Sequence, residues 1–175
     1  MATIRKIKVG LFALPPATKL VDARHGEHNK IELITVEVTD SDSVTGIGYT
    51  FTGGHNGAAI HKGIEVDIIP LLANEDAGNI PAIWDKIWWE CHYGGRGGPI
   101  VLGLSAIDIA LWDLKAKRVQ LPLWRLLGGY SAKVKCYAGG IDLHLQGDDL
   151  IATVETAIAS GQTAYKMKVG RDDLA

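Results

Sequence analysis

Cysteine is nearly absent from this chain. Cys91 and Cys136 are its two thiols in 175 residues, too few for the disulfide framework of a secreted scaffold, and they read as free thiols in a reducing compartment. No apolar run comes near the ~20 residues that a membrane-spanning helix needs. Arg5, Lys6 and Lys8 open the sequence, but the apolar stretch of a signal peptide does not follow them. An excess of one charge is missing too: 18 Lys and Arg stand against 20 Asp and Glu, so no basic face is offered to nucleic acid or to an anionic membrane. These absences point to a cytoplasmic protein whose partners include no nucleic acid and no membrane. Apolar residues are plentiful, at 47% of the chain, and this length can bury a substantial core.

Residues 3–12 are β-prone and end at Pro15-Pro16. A polar segment from Ala17 to Lys30, with Lys19, Asp22, Arg24, His25, Glu27 and His28, reads as an exposed loop. Residues 31–39 alternate, with Ile34, Val36 and Val38 on one side; Asp40 to Ser43 turns the chain and 44–51 returns, which predicts a β-hairpin. Gly53 to Gly57 is a flexible loop holding His55. Ile60, Ile64, Ile68 and Leu71 then recur at helical spacing, with Pro70 expected to end the segment. Pro81 and Pro99 each suit the start of a helix, the second running over about 100–117 with Leu104, Ile107, Leu111 and Leu114 inward. A short helix over 123–127 stops at Gly128-Gly129. Beyond that the pattern becomes strand (134–138), helix (150–160) and strand (164–169), a βαβ unit with parallel strands and a right-handed crossover. The change in pattern sets two domains, 1–130 and 131–175. A closed (β/α)8 barrel takes about 250 residues and only about 40 follow Ala132, so the second domain reads as an incomplete barrel.

Lys166 and Lys168 stand two apart on the last of these strands, where side chains share one face. At the C-terminal end of a barrel strand they would reach the mouth of the site. A lysine is a poor base at its free pKa of about 10.4. A second ammonium nearby and partial burial lower that value, which suits the pair to removing a carbon-bound proton. The spacing alone selects nothing, because Lys6/Lys8, Lys115/Lys117 and Lys133/Lys135 share it. Position separates Lys166 and Lys168: the second strand of a βαβ unit, just before Gly170.

Gly103-Leu104-Ser105-Ala106-Ile107-Asp108-Ile109-Ala110-Leu111-Trp112-Asp113-Leu114, followed by Leu121-Pro122-Leu123-Trp124-Arg125-Leu126-Leu127-Gly128-Gly129, resembles the enolase superfamily in its mandelate racemase/muconate lactonizing group. Tyr165-Lys166-Met167-Lys168-Val169-Gly170 resembles that group's Lys-x-Lys strand. The resemblance implies an α+β capping domain, with a three-stranded antiparallel sheet followed by helices, and then a (β/α)7β TIM-like barrel. It implies abstraction of the proton α to a carboxylate, with Mg²⁺ stabilising the enediolate. Lys168 would be the base on one face of the substrate; Lys166 would lower its pKa and help neutralise the carboxylate. Substrate-binding positions would be Arg24, His25 and His55, in two polar loops of the capping region. Such loops suit a sugar acid, so an acid-sugar dehydratase or racemase is preferred to a cycloisomerase or dipeptide epimerase. The three acidic metal ligands of the family lie on later barrel strands. No metal ligand is therefore expected within this chain, the Mg²⁺ ligands are expected beyond Ala175, and the chain alone is expected to be inactive. The full-length protein is expected to be a homo-oligomer.

Other constellations read more plainly. His25-Gly26-Glu27-His28 looks ligand-like, but an ordinary solvated loop is the first reading. Gly94 to Gly98 lacks the Gly-Lys-Ser/Thr ending of a phosphate loop. The five tryptophans read as core and domain-interface residues. Asp108 and Asp113, five apart on an apolar helix, read as structural carboxylates rather than an acid/base pair. The contrasting possibility is a non-catalytic capping module that recruits a partner through the open edge of the last strand.

Overall fold

The computed structural model describes residues 1–170. In chain order its elements begin with β1 (Ile4–Leu14), β2 (Val21–Asp22), β3 (Gly26–Glu27), β4 (Ile31–Asp40) and β5 (Thr45–Thr52). Helix α1 (Gly57–Gly63) follows, then a π-helical turn (Ile64–Ile68), α2 (Ile69–Leu72) and α3 (Ile80–Glu90). After a short 3-10 turn come α4 (Pro99–Arg118), α5 (Leu123–Leu126), β6 (Ala138–Gly139), α6 (Gly147–Ala159) and β7 (Tyr165–Lys166). Two compact units result among the described residues: 1–14 with 31–130, and 15–30 with 131–170. The second unit includes Pro15–Lys30. Among the described residues no helix is long and apolar enough to cross a membrane.

The first unit is a three-stranded antiparallel sheet, in the order β1-β4-β5, with helices on one face. Alternation in β4 buries Ile34, Val36 and Val38 completely, each burial being worth roughly 1.5–3 kcal/mol. Helix α4 lies on β5 at backbone distance. A Cβ added to Gly46 would stand 2.1 Å from the Ala110 carbonyl oxygen, and one added to Gly48 would stand 2.1 Å from that of Ala106. Glycine at these two positions is what admits the helix. The same helix closes the edge of the sheet: Asp113 Oδ2 accepts the Ile47 N–H at 2.8 Å, and Lys117 Nζ donates to the Thr45 carbonyl at 3.0 Å. An unpaired strand edge is thereby capped by side chains rather than left as a template. Asp113 is structural, as its setting in the helix suggested.

Two expectations need correction in this unit. Pro70 does not end the helical segment but sits in the first turn of α2, directly after the π-helical turn. The wider turn absorbs the missing N–H and the bulk of the ring. It also stretches the repeat to four, so Ile60, Ile64, Ile68 and Leu72 are fully buried and Leu71 only partly. The tryptophans are not core as a set. Trp88 and Trp112 pack against the core, while Trp84, Trp89 and Trp124 are exposed. Aliphatic side chains already fill the interior.

In the second unit, β6 pairs parallel with β7, and β2 pairs with β3. Both β6 and β7 are much shorter than the strands expected over 134–138 and 164–169, and β6 begins only at Ala138. The polar segment is not a plain loop, since β2 and β3 form a small hairpin through Ala23, Arg24 and His25. Gly26, directly after the turn and paired with Asp22, adopts φ +70, a left-handed conformation that glycine takes without steric cost.

Gly48→Ala is predicted to destabilise the first unit by about 3 kcal/mol, the upper end for overpacking, because backbone rather than a flexible side chain meets the methyl. Gly53→Ala, with nothing within 4 Å of its added Cβ, is the matched control and should change the urea midpoint little.

Candidate active site

Asp142 organises the lysine strand. It is 4% exposed, and a carboxylate so buried is costly unless its oxygens are satisfied. The Tyr165 hydroxyl donates to Oδ2 at 2.9 Å, and the Lys168 backbone N–H donates to Oδ1 at 2.8 Å. Parallel ladder bonds run from Ala138 N–H to the Ala164 carbonyl at 3.0 Å and from Gly140 N–H to the Lys166 carbonyl at 2.8 Å. Gly140 leaves room for this arrangement. A Cβ there would fall 2.1 Å from Asp142 Oδ2 and 2.6 Å from the Tyr165 hydroxyl oxygen. Lys166 is exposed and Lys168 half-buried. Regular pairing covers Lys166 but stops before Lys168, whose backbone is held instead by Asp142.

The β2–β3 hairpin joins the same framework. Val21 N–H donates to the Ile141 carbonyl at 2.9 Å, and Leu143 N–H donates to the Val21 carbonyl at 3.1 Å. Arg24 and His25, both exposed, are thus carried by a hairpin tied to the segment that positions Lys168. His55 lies elsewhere, exposed in the β5–α1 loop of the first unit. Asp22 shapes the hairpin turn by accepting the backbone N–H groups of Arg24 at 2.9 Å and His25 at 2.7 Å. The His25 backbone bond, then the His28 and His25 side chains, hold its carboxyl well below the usual carboxylate range. A cleft of about 580 Å³ opens in this unit, walled in part by Leu20, Gly140, Asp142, His144 and Tyr165. Neither lysine is among its walls.

Asp142, Tyr165 and Asp22 were not singled out by the sequence. Gly139-Gly140 followed two residues later by an acid was the available signal, weak because a lone Asp after glycines is usually a turn residue.

Magnesium calls for near-octahedral oxygen coordination. Asp142 is buried with both oxygens engaged, and Asp22 is surrounded by imidazole nitrogens. The described residues do not fit a magnesium site.

Residues 7–128 match the family described as mandelate racemase / muconate lactonizing enzyme, N-terminal domain. The chain belongs to this family of the enolase superfamily. It is 47% identical over 171 residues to the 3,6-anhydro-alpha-L-galactonate cycloisomerase of Streptomyces coelicolor, covering 98% of this chain and 47% of that one. It is 35% identical to the L-talarate/galactarate dehydratase of Salmonella typhimurium, covering 98% and 44%. Among solved structures, a racemase from Streptomyces coelicolor with bound magnesium superimposes with TM-score 0.94 at 47% identity, over 98% of this chain and 48% of that one. The Salmonella dehydratase, liganded with Mg and L-lyxarohydroxamate, gives 0.90 at 32% identity, over 98% and 45%. This mandelate racemase-family chain spans about half the length of the curated relatives it matches. Its three-stranded sheet followed by helices is the family's capping domain.

The Tyr165 phenol is pushed above its ordinary value by burial first, then by its bond to Asp142 and the charge of that carboxylate. A raised phenol pKa means the folded state favours the protonated form. The stability it contributes is complete below the unfolded pKa of about 10 and is lost as pH climbs through the folded value. Asp142→Asn should therefore bring the 295 nm titration of Tyr165, isolated by difference against Tyr165→Phe, back towards 10. An unchanged titration would contradict the pairing.

Proposed function

We propose that the protein removes the proton α to the carboxylate of a sugar acid and then expels the oxygen on the adjacent carbon. The observation that carries this reading is the anchoring of the Lys168 backbone on Asp142, beside the hairpin that bears Arg24 and His25. Lys168, as the free amine, takes the α-proton at Nζ and becomes an ammonium while the electron pair passes into the enediolate. Lys166, as an ammonium, lies against the substrate carboxylate and offsets its growing charge. Arg24 and His25 contact the substrate's hydroxyl groups. Residues 1–130 are assigned to the capping domain, and the chain from 131 onward to the opening of a barrel. The magnesium ligands are expected beyond Ala175, as the resemblance implies, and this chain by itself is expected to be inactive.

The departing oxygen decides the outcome. If it leaves as water the reaction is a dehydration, the activity named for the Salmonella relative and for the arabinonate dehydratase of Saccharolobus solfataricus. If it is tethered in an anhydro ring, its departure opens the ring with no change of mass, an isomerisation. The relative at 47% identity is named a cycloisomerase, against 35% for the Salmonella dehydratase, which favours ring opening as the second reading.

Incubating the natural gene product in D2O with galactarate and, separately, with 3,6-anhydro-L-galactonate tests both. Dehydration predicts a galactarate product lighter by one water, and ring opening predicts an anhydro-acid product of unaltered composition apart from solvent deuterium. Retention of the α-hydrogen in both substrates would overturn the proposal.

A further inference from the structure

The hairpin that carries Arg24 and His25 also gathers a donor set that includes two groups, Asp22 and His28, which the proposed chemistry does not use. His28 Nε2 lies 2.7 Å from Asp22 Oδ2, and His25 Nδ1 lies 3.1 Å from each Asp22 oxygen. One donor atom from each of the three residues can be chosen so that all lie within 4.8 Å of one another. A tetrahedral cation with bonds of about 2.0–2.2 Å holds its ligands roughly 3.3–3.5 Å apart, so small side-chain shifts would seat one ion between them. We infer that Asp22, His25 and His28 form a binding site for one divalent transition-metal cation of the zinc class.

Three features make this more than a chance cluster. The backbone is preset by the Val21–Glu27 and Asp22–Gly26 pairs and by His28 N–H donating to the Leu20 carbonyl at 2.9 Å. Little ordering is then left to cost affinity. Burial is graded: the Asp22 and His28 side chains are 18% and 19% exposed, and that of His25 is 65% exposed. Two ligands are held in the fold, and the third leaves a solvent path with a coordination position for water. Finally, two imidazoles with one carboxylate select borderline cations such as Zn²⁺ or Co²⁺ over Mg²⁺, which prefers oxygen throughout. In the metal-free hairpin each imidazole faces the carboxylate at hydrogen-bond distance. A cation would take over that role.

Calorimetric titration of the metal-free protein with Zn²⁺ at neutral pH, in excess Mg²⁺, should show one site per chain. His25→Ala and His28→Ala should each weaken it by about 100-fold or more, since losing an outer-shell partner already costs roughly 10–100-fold. The exposed His25 position keeps the first variant folded, and unchanged circular dichroism would verify both. Co²⁺ in the same site should give visible d–d bands without the charge-transfer band of a thiolate. Absence of Zn²⁺ binding, binding that survives His28→Ala, or a thiolate band pointing to Cys91 or Cys136 would each overturn the inference.

Discussion

The arrangement around the lysines rests on one buried carboxylate. The oxygens of Asp142, at 4% exposure, need hydrogen-bond donors, and two of them come from the far end of the βαβ unit, the Tyr165 hydroxyl and the Lys168 N–H. Much follows from that requirement. Gly140 must lack a side chain, the two ends of the unit must meet, and the lysine segment is fixed without a long ladder to hold it. Strands of two residues are weak as sheet. A charge-assisted bond to a backbone N–H does here what extended pairing would do elsewhere.

The first unit solves a different problem by similar means. Its sheet needs a lid and its β5 edge needs closing, and α4 supplies both because Gly46 and Gly48 let the helix backbone approach. Arg118, at the end of α4, reaches the buried Asp40 and, at 2.9 Å, Asp42. Asp40 in turn accepts the backbone N–H groups of Asp42 and Val44, at 2.9 and 3.0 Å, across the hairpin turn. A carboxylate with converging donors fixes a turn in one unit and a strand in the other.

What could be read in advance follows the kind of signal each part carries. The Ile34, Val36, Val38 alternation and the apolar face of α4 are periodic, and period survives in sequence. The π-helical turn was hidden because a repeat of four resembles the ordinary helical repeat until Leu72 replaces Leu71 as the buried residue. The β2–β3 hairpin carries no apolar period at all; it is written in Asp22, Gly26 and side chain-to-backbone bonds that polar loops also make. Asp142 illustrates the limit most clearly, because its partner Tyr165 lies 23 residues away and nothing local marks the pair. The lysines were noticed through resemblance and position, while the group that holds Lys168 was not.

Exchange of the α-hydrogen of a sugar acid with D2O, followed by NMR in the natural gene product and its Lys168→Ala variant, tests the central claim most directly. The account predicts exchange in the wild type and a loss of about 10²-fold or more in the variant, the scale of a positioned general base. Exchange at the wild-type rate without the Lys168 amine would contradict it.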